Sequence, residues 1–462
     1  MSVTMTRVSG KGSRLYLALL LVFSISLFSH YSLTKHVYGQ REMNTATLYE
    51  YMKLMDFENI RRHVYFFSSL NTRVVGTEGF YKAAEYVANE FSKYGLEPGP
   101  DGYYYFYNHS ATVENTAELS VIDNPTISIR LLTVWPNLVL TSKTPPGGIE
   151  GELLYVGGNG DLEDFDGKDV AGKIVVMSYG TGSNWLNAAK LGAKAVIFLP
   201  SSAPVAESSL SKFTTTPFYF PRYYAPDNAS LLGELARKGS AVRIMSNMHW
   251  EIIRGINILG IVEGRRKDEI IIVSSHFDSW TAVPGLAPGA DESCGISTLL
   301  EMARVMAELA KEGYSPERTV WFVALSGHWQ QLDGARNFVM DYLFDGRSGR
   351  DWPYTTPSQY RVYAWIGLDL STGSNTLGIL FFSYMYRPLN LMGIYSGRGS
   401  ALVQLLRAEQ QKNLKSILNA MASVSPEYSN YRVLFGDERA RLLLKVGTFR
   451  LLHYTMEYRL NR

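Results

Sequence analysis

The sequence has 462 residues, of which 46% are hydrophobic and 19% are charged, a composition typical of a globular protein with an apolar core. This length predicts two or three domains, because single cores stop growing beyond about 250–300 residues. The formal net charge is +2 at pH 7, so bulk charge indicates neither a nucleic-acid partner nor an acidic substrate. Cys294 is the only cysteine in the sequence, which excludes an intramolecular disulfide.

A basic and then apolar segment stands at the N-terminus. Three basic residues precede the uncharged stretch 15–29, which is the pattern of an export signal whose positive charge stays on the cytoplasmic side. Small residues before Gln40 suit cleavage, whereas residues 30–33 could extend the apolar core toward the roughly 17–25 residues that span a bilayer. The pattern leaves a cleaved signal peptide and a membrane anchor open over residues 1–40, and it favours the anchor. We therefore expect a membrane-anchored or secreted protein.

Helices and then strands are predicted in the next part of the chain. Apolar residues at three- and four-residue spacing over residues 44–96 predict two helices, which the loop 71–79 separates. Alternation of apolar and polar residues over residues 103–145 predicts strands. From 147 to 250 the pattern becomes strand, strand, helix and buried strand, so we expect a compact β/α insert with a small core of its own.

Residues 251–462 are expected to form the core of the main domain, with residues 41–146 as its N-terminal part. Near-continuous apolar strands alternate there with helices, and these strands are INILGIVEG, EIIIVSSHFDS, RTVWFVALSG and RVYAWIGLDLS. Strands of this kind are buried on both faces. The alternation predicts an α/β fold in which a mostly parallel mixed sheet is sandwiched between helices.

Polar side chains stand just beyond the ends of these strands. His276 and Asp278 follow one strand, Asp291 precedes the next helix, and Asp369 ends a later strand. Ligands of α/β proteins bind at the carboxyl ends of the strands, and an imidazole with carboxylates is a donor set that zinc accepts. Asp278 could orient the ring of His276 from behind the ion. Each residue alone is better explained by a cap or a turn, but together they favour a metal site.

The segments that carry these residues resemble metallopeptidase family 28. The resemblance rests on VSSHFDSW, PGADESCG, ALSGHWQQLDGAR and GLDLSTG, on the helical lead-in TRVVGTEGFYKAAEYVANEFSKYGLE, and on GELLYVGGNGDLEDFDGKDVAGKIVVMSYG. The family includes di-zinc aminopeptidases, glutamate carboxypeptidase and the non-catalytic transferrin receptor. The resemblance implies the zinc-exopeptidase fold, a protease-associated domain inserted over residues 147–250, and one or two zinc ions.

Carried over residue by residue, the resemblance implies a ligand set. His276 would bind one zinc ion, Asp291 would bridge two ions, and Asp369 would bind the second. Asp278 would stand behind His276 and orient its ring. Glu438 lies near the place of the family's last histidine ligand and is a candidate oxygen ligand.

The corner after RTVWFVALSG departs from the family. The family has two glutamates there, a general base and then a zinc ligand, whereas this chain has His328 and Trp329. An indole offers one N–H donor and no lone pair for a metal, so Trp329 cannot bind zinc. His328 could accept a proton from water or bind an ion itself. The resemblance therefore predicts an altered site with His328 and Asp278 in the catalytic roles.

Three functions remain open on this sequence. The first is an exported metallo-exopeptidase of the aminopeptidase type, which hydrolyses a peptide or protein substrate and contacts the membrane through its N-terminal segment. The second is a catalytically inactive binding or scaffold protein with the same fold, for which a homodimer is an open alternative. The third is a modification of protein N-termini similar to that of glutaminyl cyclases. No nucleic-acid partner is predicted, and the metal content would discriminate the first function from the second.

Overall fold

A computed structural model describes residues 54–343 and 360–370, together with the backbone of two further short strands. The chain folds as two compact units, of which the larger comprises His63–Leu299 and Ala307–Asp369. The predicted leader 1–40 and the candidate ligand Glu438 lie outside the described residues.

The described residues form seven α-helices and fifteen strands. The helices are α1 (Phe57–Ser69), α2 (Glu78–Tyr94), α3 (Trp185–Lys190), α4 (Val205–Ser208), α5 (Ala229–Arg237), α6 (Ser293–Lys311) and α7 (Asp333–Phe338). The strands are β1 (Glu97–Pro98), β2 (Tyr104–Val113), β3 (Thr116–Val121), β4 (Asn124–Thr133), β5 (Ile149–Tyr155), β6 (Ile174–Ser178), β7 (Ala195–Leu199), β8 (Arg222–Tyr224), β9 (Ala241–Ser246), β10 (His249–Val262), β11 (Arg266–His276), β12 (Arg318–Leu325), β13 (Arg361–Gly367), β14 (Thr376–Ile379) and β15 (Arg432–Phe435). A π-helical turn, Val339–Leu343, follows α7.

A closed barrel is inserted at the tip of a long β-hairpin. β2 and β10 pair antiparallel over ten residues, from His249 opposite Val113 to Ile258 opposite Tyr104. Between them, seven strands close in the order β3-β4-β8-β7-β6-β5-β9. The barrel begins at Thr116, so it includes two strands, β3 and β4, that precede the insert expected from the sequence.

One face of each barrel strand points to the interior. In β3 only this face is buried, at every second residue, whereas β6, β7 and β8 are buried on both faces. One apolar cluster fills the barrel with large side chains such as Leu119, Ile129, Ile197 and Tyr223. The barrel is therefore a packed core of its own.

The main sheet is mixed. Its order is β1-β10-β12-β11-β13, and β2 also pairs with β10. β11 is parallel to β12 and β13, whereas β10 is antiparallel to β1, β2 and β12. The predicted combination of a mixed sheet with helices is confirmed, but parallel pairs are the minority among the described strands of this sheet. The reason is that β10 returns along β2 after the barrel, which reverses its direction.

The centre of the sheet is covered on both faces. Consecutive residues of β11, from Ile270 to Val273, are all at most 4% exposed, as the continuous apolar run predicts. Helix α2 packs on β10. It begins at Thr77, whose side chain accepts a hydrogen bond from the Phe80 amide, and it ends at Gly95 in the left-handed conformation. None of the described helices is both long and apolar enough to cross a bilayer.

Candidate functional site

Two neighbouring parallel strands bring two histidines together. β11 ends at His276, which lies opposite Leu325 at the end of β12, and the chain then turns through Ser326 and Gly327. The rings of His276 and His328 stack, with centroids 4.1 Å apart and planes at 18°. The corner that carries His328 therefore lies directly against His276, the predicted metal ligand.

Asp278 is buried beside the two histidines and contacts both. Its Oδ2 accepts a hydrogen bond of 3.1 Å from the His328 amide. Its backbone oxygen lies 3.1 Å from Nδ1 of His276, and Oδ1 lies 3.4 Å from the same nitrogen without hydrogen-bond geometry. A proton on Nδ1 satisfies this contact and leaves the lone pair on Nε2. Asp278 thus has the position expected of a residue that orients the His276 ring.

The pKa values of the two rings are shifted in opposite directions. Burial lowers the pKa of His276, but the carboxylates of Asp278, Asp369 and Glu292 outweigh burial and raise this pKa overall. For His328, burial and the neighbouring His276 lower the pKa to about 4, although Asp278 and Asp369 act in the opposite direction. Burial and the neighbouring imidazole therefore favour the neutral form of His328.

Glu292 is a second titratable group at this site, and sequence patterns assign it only to the start of a helix. It directly precedes α6 but makes no capping hydrogen bond with its side chain. Instead, Oε2 accepts a hydrogen bond of 3.3 Å from the amide of Trp280. Burial raises the pKa of Glu292 to about 7, although the nearby His276 and Arg73 lower it in part. In the sequence, only its position directly after the predicted ligand Asp291 indicates that Glu292 lies at the site.

Arg73 holds the loop that follows β11, and the sequence argument did not single it out. This fully buried side chain donates to the carbonyl oxygens of Phe277 (2.8 Å), Phe67 (3.0 Å), Gly289 (3.1 Å) and Pro288. Its backbone amide is also bonded to Ser279 Oγ at 3.1 Å. Burial lowers the pKa of Arg73 to about 10, opposed by Glu292 and Asp278. One arginine therefore fixes both ends of the loop 277–289.

The turn that carries His328 is held by a buried polar network. The Ser326 amide donates to Asn257 Oδ1 at 2.9 Å, and its hydroxyl lies 2.8 Å from the Tyr107 hydroxyl. Gly327 adopts a φ of 67°, and a Cβ there would stand 2.9 Å from the same Tyr107 hydroxyl. The turn therefore requires glycine at this position.

Tryptophans form the wall of the site next to the histidines. The ring of Trp329 is perpendicular to that of His276, with centroids 6.4 Å apart, and it stacks against Trp280 at 6.0 Å. Trp280 in turn meets Trp135 edge to face at 5.8 Å. Nε1 of Trp329 is buried and has no hydrogen-bond partner in the described residues. Trp329 thus adds to this wall an apolar ring with an unused donor.

The two remaining predicted ligands are less closely assembled. Asp291 is exposed ahead of α6, and Asp369 is exposed just after β13. Asp369 is near enough to affect the charge of both histidines. Within residues 54–343 and 360–370, however, no three His, Cys, Asp or Glu side chains are placed so that they could hold one ion. The residue types suit zinc, but as placed they do not form a complete zinc site.

Comparison with known proteins supports the family resemblance that the sequence indicates. A family model described as Peptidase family M28 matches residues 257–418, which confirms the resemblance expected from the sequence. Aminopeptidase NAALADL1 of Mus musculus is 31% identical over 139 residues, which cover 30% of this chain and 16% of that protein. Carboxypeptidase Q of Xenopus laevis is 26% identical over 278 residues, 54% of this chain and 56% of that protein.

Two further proteins that are similar to this chain are a receptor and an aminopeptidase of known structure. Transferrin receptor protein 2 of Homo sapiens is 24% identical over 262 residues, 43% of this chain and 32% of that protein. A solved zinc aminopeptidase from Bacillus subtilis is 20% identical with a TM-score of 0.43, covering 67% of this chain and 69% of that one. The chain spans at most 56% of the length of these three curated relatives.

Proposed function

Because residues 257–418 match the model of Peptidase family M28, we propose that this chain is an exported metallopeptidase-like protein of the aminopeptidase type with an altered site. The observation that supports the proposal is the assembly of His276, Asp278 and His328 beyond the ends of two parallel strands. The family implies a peptide substrate, and the relative from mouse is named an aminopeptidase. Residues 1–40 are proposed as the export signal or anchor, and the barrel from Thr116 to Ser246 as the protease-associated insert.

We assign a separate role to each of the residues at the proposed site. Asp278 contacts Nδ1 of His276 and so leaves Nε2 as the ring nitrogen for a ligand. His328 is the proposed proton acceptor for a bound water or a peptide amine, since its neutral ring has a lone pair. Glu292, which the Trp280 amide holds on the adjoining loop, is the second candidate for this role. A divalent ion would need Asp291 and Asp369 to close on His276.

One observation favours a second candidate function, a binding protein without catalysis. Trp329 stands in the place of a family ligand, stacked on Trp280, and the described residues do not form a complete ion site. A peptide could still lie against this apolar wall without being cleaved. The human relative is named a transferrin receptor, which shows that proteins similar to this chain are not confined to peptidases.

Metal content and activity of the full chain test the proposal together. The purified protein would be incubated with zinc, dialysed, and measured for zinc per chain and for release of N-terminal residues from aminoacyl anilides and peptides. We expect about one zinc per chain, bound through the His276 imidazole, and detectable hydrolysis. His276→Ala should remove the metal and lower activity at least about a hundredfold.

The matched control is His249→Ala, which removes a histidine at the far end of β10 and should leave zinc and activity unchanged. A folded wild-type chain that holds no zinc and cleaves no peptide would contradict the peptidase and favour the binding protein. In that case, restoring both carboxylates with His328→Glu and Trp329→Glu should raise the zinc content. No gain in zinc from this pair of substitutions would show that the corner does not correspond to the family's ligand position.

A further inference from the structure

A tight turn between β4 and β5 exposes three consecutive aliphatic side chains. Asn137 and Leu140 exchange two backbone hydrogen bonds of 3.0 and 3.1 Å around Leu138 and Val139. Leu138 has a φ of 57°, the left-handed region in which two-residue turns normally place glycine or asparagine. Val139 is 60% exposed, and Leu138 and Leu140 are also exposed. A turn that accepts backbone strain in order to expose aliphatic residues is a candidate functional element.

The turn is anchored on a rigid base. The buried side chain of Asn137 donates to the Phe218 carbonyl at 3.2 Å. The indole Nε1 of Trp250 donates to the Val139 carbonyl at 2.9 Å, and Trp250 meets the buried Trp135 edge to face at 6.2 Å. The aliphatic side chains are therefore presented by a fixed backbone and do not collapse onto the barrel.

The residues around the turn extend the apolar surface. Tyr219, next to Phe218, is 51% exposed, and Ile252, on the same face of β10 as Trp250, is 66% exposed. We call this surface, made of Leu138, Val139, Leu140, Tyr219, Trp250 and Ile252, the apolar tip. Its border carries the exposed Lys143, whose carbonyl accepts a hydrogen bond of 2.7 Å from the Tyr219 hydroxyl.

We propose that the apolar tip inserts into the interfacial region of a lipid bilayer. Aliphatic residues flanked by Trp, Tyr and a basic residue are the composition that partitions into this region, because amphipathic rings sit at the headgroup level and Lys pairs with lipid phosphates. A protruding two-residue turn can enter the interfacial region of a bilayer without a complementary pocket. Six side chains fall well short of the roughly 20–30 residues per partner in a stable protein interface.

The chain itself offers a direct probe of this contact. Cys294 is its only cysteine and is fully buried, so Val139→Cys in the full chain can be labelled at one site with the polarity-sensitive dye NBD. The matched control is Ile122→Cys, in the turn between β3 and β4 of the same barrel, where the native side chain is 40% exposed. Both labelled proteins would be mixed with vesicles of phosphatidylcholine, with or without phosphatidylglycerol.

We expect vesicles to shift the NBD emission at residue 139 to shorter wavelength and to increase its intensity, with no change at residue 122. This comparison holds whether or not the N-terminal segment also binds the vesicles, because each dye reports only its own surroundings. No shift at residue 139, or equal shifts at both positions, would overturn the proposal. A shift at residue 139 that grows with protein concentration in the absence of lipid would overturn it in favour of contact with a second copy.

An unlabelled measurement guards against an effect of the dye. Vesicles that contain brominated phosphatidylcholine should quench part of the tryptophan emission, and Trp250→Phe should remove most of this quenching. Quenching that the substitution leaves unchanged would place another tryptophan, and not the apolar tip, in the bilayer.

Discussion

Two buried arginines stabilise two regions of the larger unit by the same contacts in different electrostatic surroundings. Arg73 lies under the site loop 277–289, and Arg222 lies on the barrel strand β8, buried on the face opposite to that of Tyr223. Both donate to backbone carbonyl oxygens, Arg222 to those of Lys212 and Trp135, and in the described part of the chain neither forms an ion pair. A guanidinium can therefore be buried in this fold when carbonyl oxygens replace water.

The two arginines differ in the charged groups that surround them. Arg73 faces Asp278 and Glu292, which oppose the effect of burial on its pKa. Arg222 instead lies near Lys212, with its guanidinium 4.5 Å from the Trp185 ring, and burial lowers its pKa to about 9. No carboxylate of the described residues is among the groups that shift the pKa of Arg222, whereas Arg73 in turn lowers the pKa of Glu292 in part. The two regions should thus respond differently to the same substitution.

Removing each arginine is expected to give the largest effect. Arg73→Met and Arg222→Met should each lower the free energy of unfolding by about 2–4 kcal/mol, because several buried carbonyl groups lose their donors. Only Arg73→Met should accelerate amide hydrogen exchange in the loop 277–289. Urea unfolding measures the first effect, and hydrogen exchange read by mass spectrometry measures the second. Equal acceleration of this loop in both variants would show that the two regions are not held separately.

Arg73→Lys separates charge from hydrogen bonding in the same experiment. Lysine keeps the positive charge near Asp278 and Glu292 but lacks the planar fork that reaches four carbonyl groups. We expect the loop to exchange almost as fast as in Arg73→Met. A loop as protected as in the wild type would mean that charge, and not the set of carbonyl contacts, holds it.

A pair of glycines provides the second comparison between the site and the barrel. Gly327 and Gly167 have similar φ angles of 67° and 71°. A Cβ on Gly167 would meet nothing within 4 Å, whereas one on Gly327 would stand 2.9 Å from the Tyr107 hydroxyl. Gly167→Ala should therefore cost about 1 kcal/mol of stability through backbone strain alone, and Gly327→Ala about 1–3 kcal/mol more.

Chemical unfolding of the two alanine variants measures this difference. Tyr107→Phe, combined with Gly327→Ala, should recover part of the loss because it removes the atom that a Cβ would meet. Equal losses for Gly327→Ala and Gly167→Ala would indicate that the turn which carries His328 adapts without strain.

The strand pattern predicted the framework of the site well. Continuous apolar runs identified β11 and β12, and parallel pairing then places His276 and the corner at His328 side by side, as the structure shows. The start of the barrel was harder to predict. Strands β3 and β4 alternate in the same way as β2, and only long-range pairing decides which strands close the barrel and which extend the sheet.

The residues that the sequence argument missed act through tertiary contacts. Arg73 lies more than 200 positions from the carbonyl groups of Phe277 and Gly289 to which it donates, so no local spacing indicates its role. Glu292 has the sequence context of a helix start, and only burial distinguishes it from a solvated charge. The roles of Asp291, Asp369 and Glu438 in binding an ion remain predictions.

The smallest expected effect is a difference in pH dependence that arises in the barrel. Lys212 is buried over the rings of Tyr179 and Phe198, at 4.9 and 5.1 Å, and burial, together with Arg222, lowers its pKa to about 7. Above pH 7 the folded chain therefore holds fewer protons than the unfolded chain, in which lysine titrates near 10.4. Stability should consequently rise with pH between about 7 and 10, by up to about 1.4 kcal/mol per pH unit from this group.

Lys212→Met should remove this contribution, so the unfolding free energy of the wild type should rise relative to that of the variant as the pH increases from 7 to 9. The exposed Lys238→Met is the matched control, because a solvated lysine adds no such slope. Urea unfolding at several pH values measures both differences. Curves for the wild type and Lys212→Met that stay parallel over this range would show that the buried amine keeps its proton. The barrel would then tolerate two adjacent charged cations on carbonyl groups and aromatic rings alone, without the carboxylates that accompany Arg73.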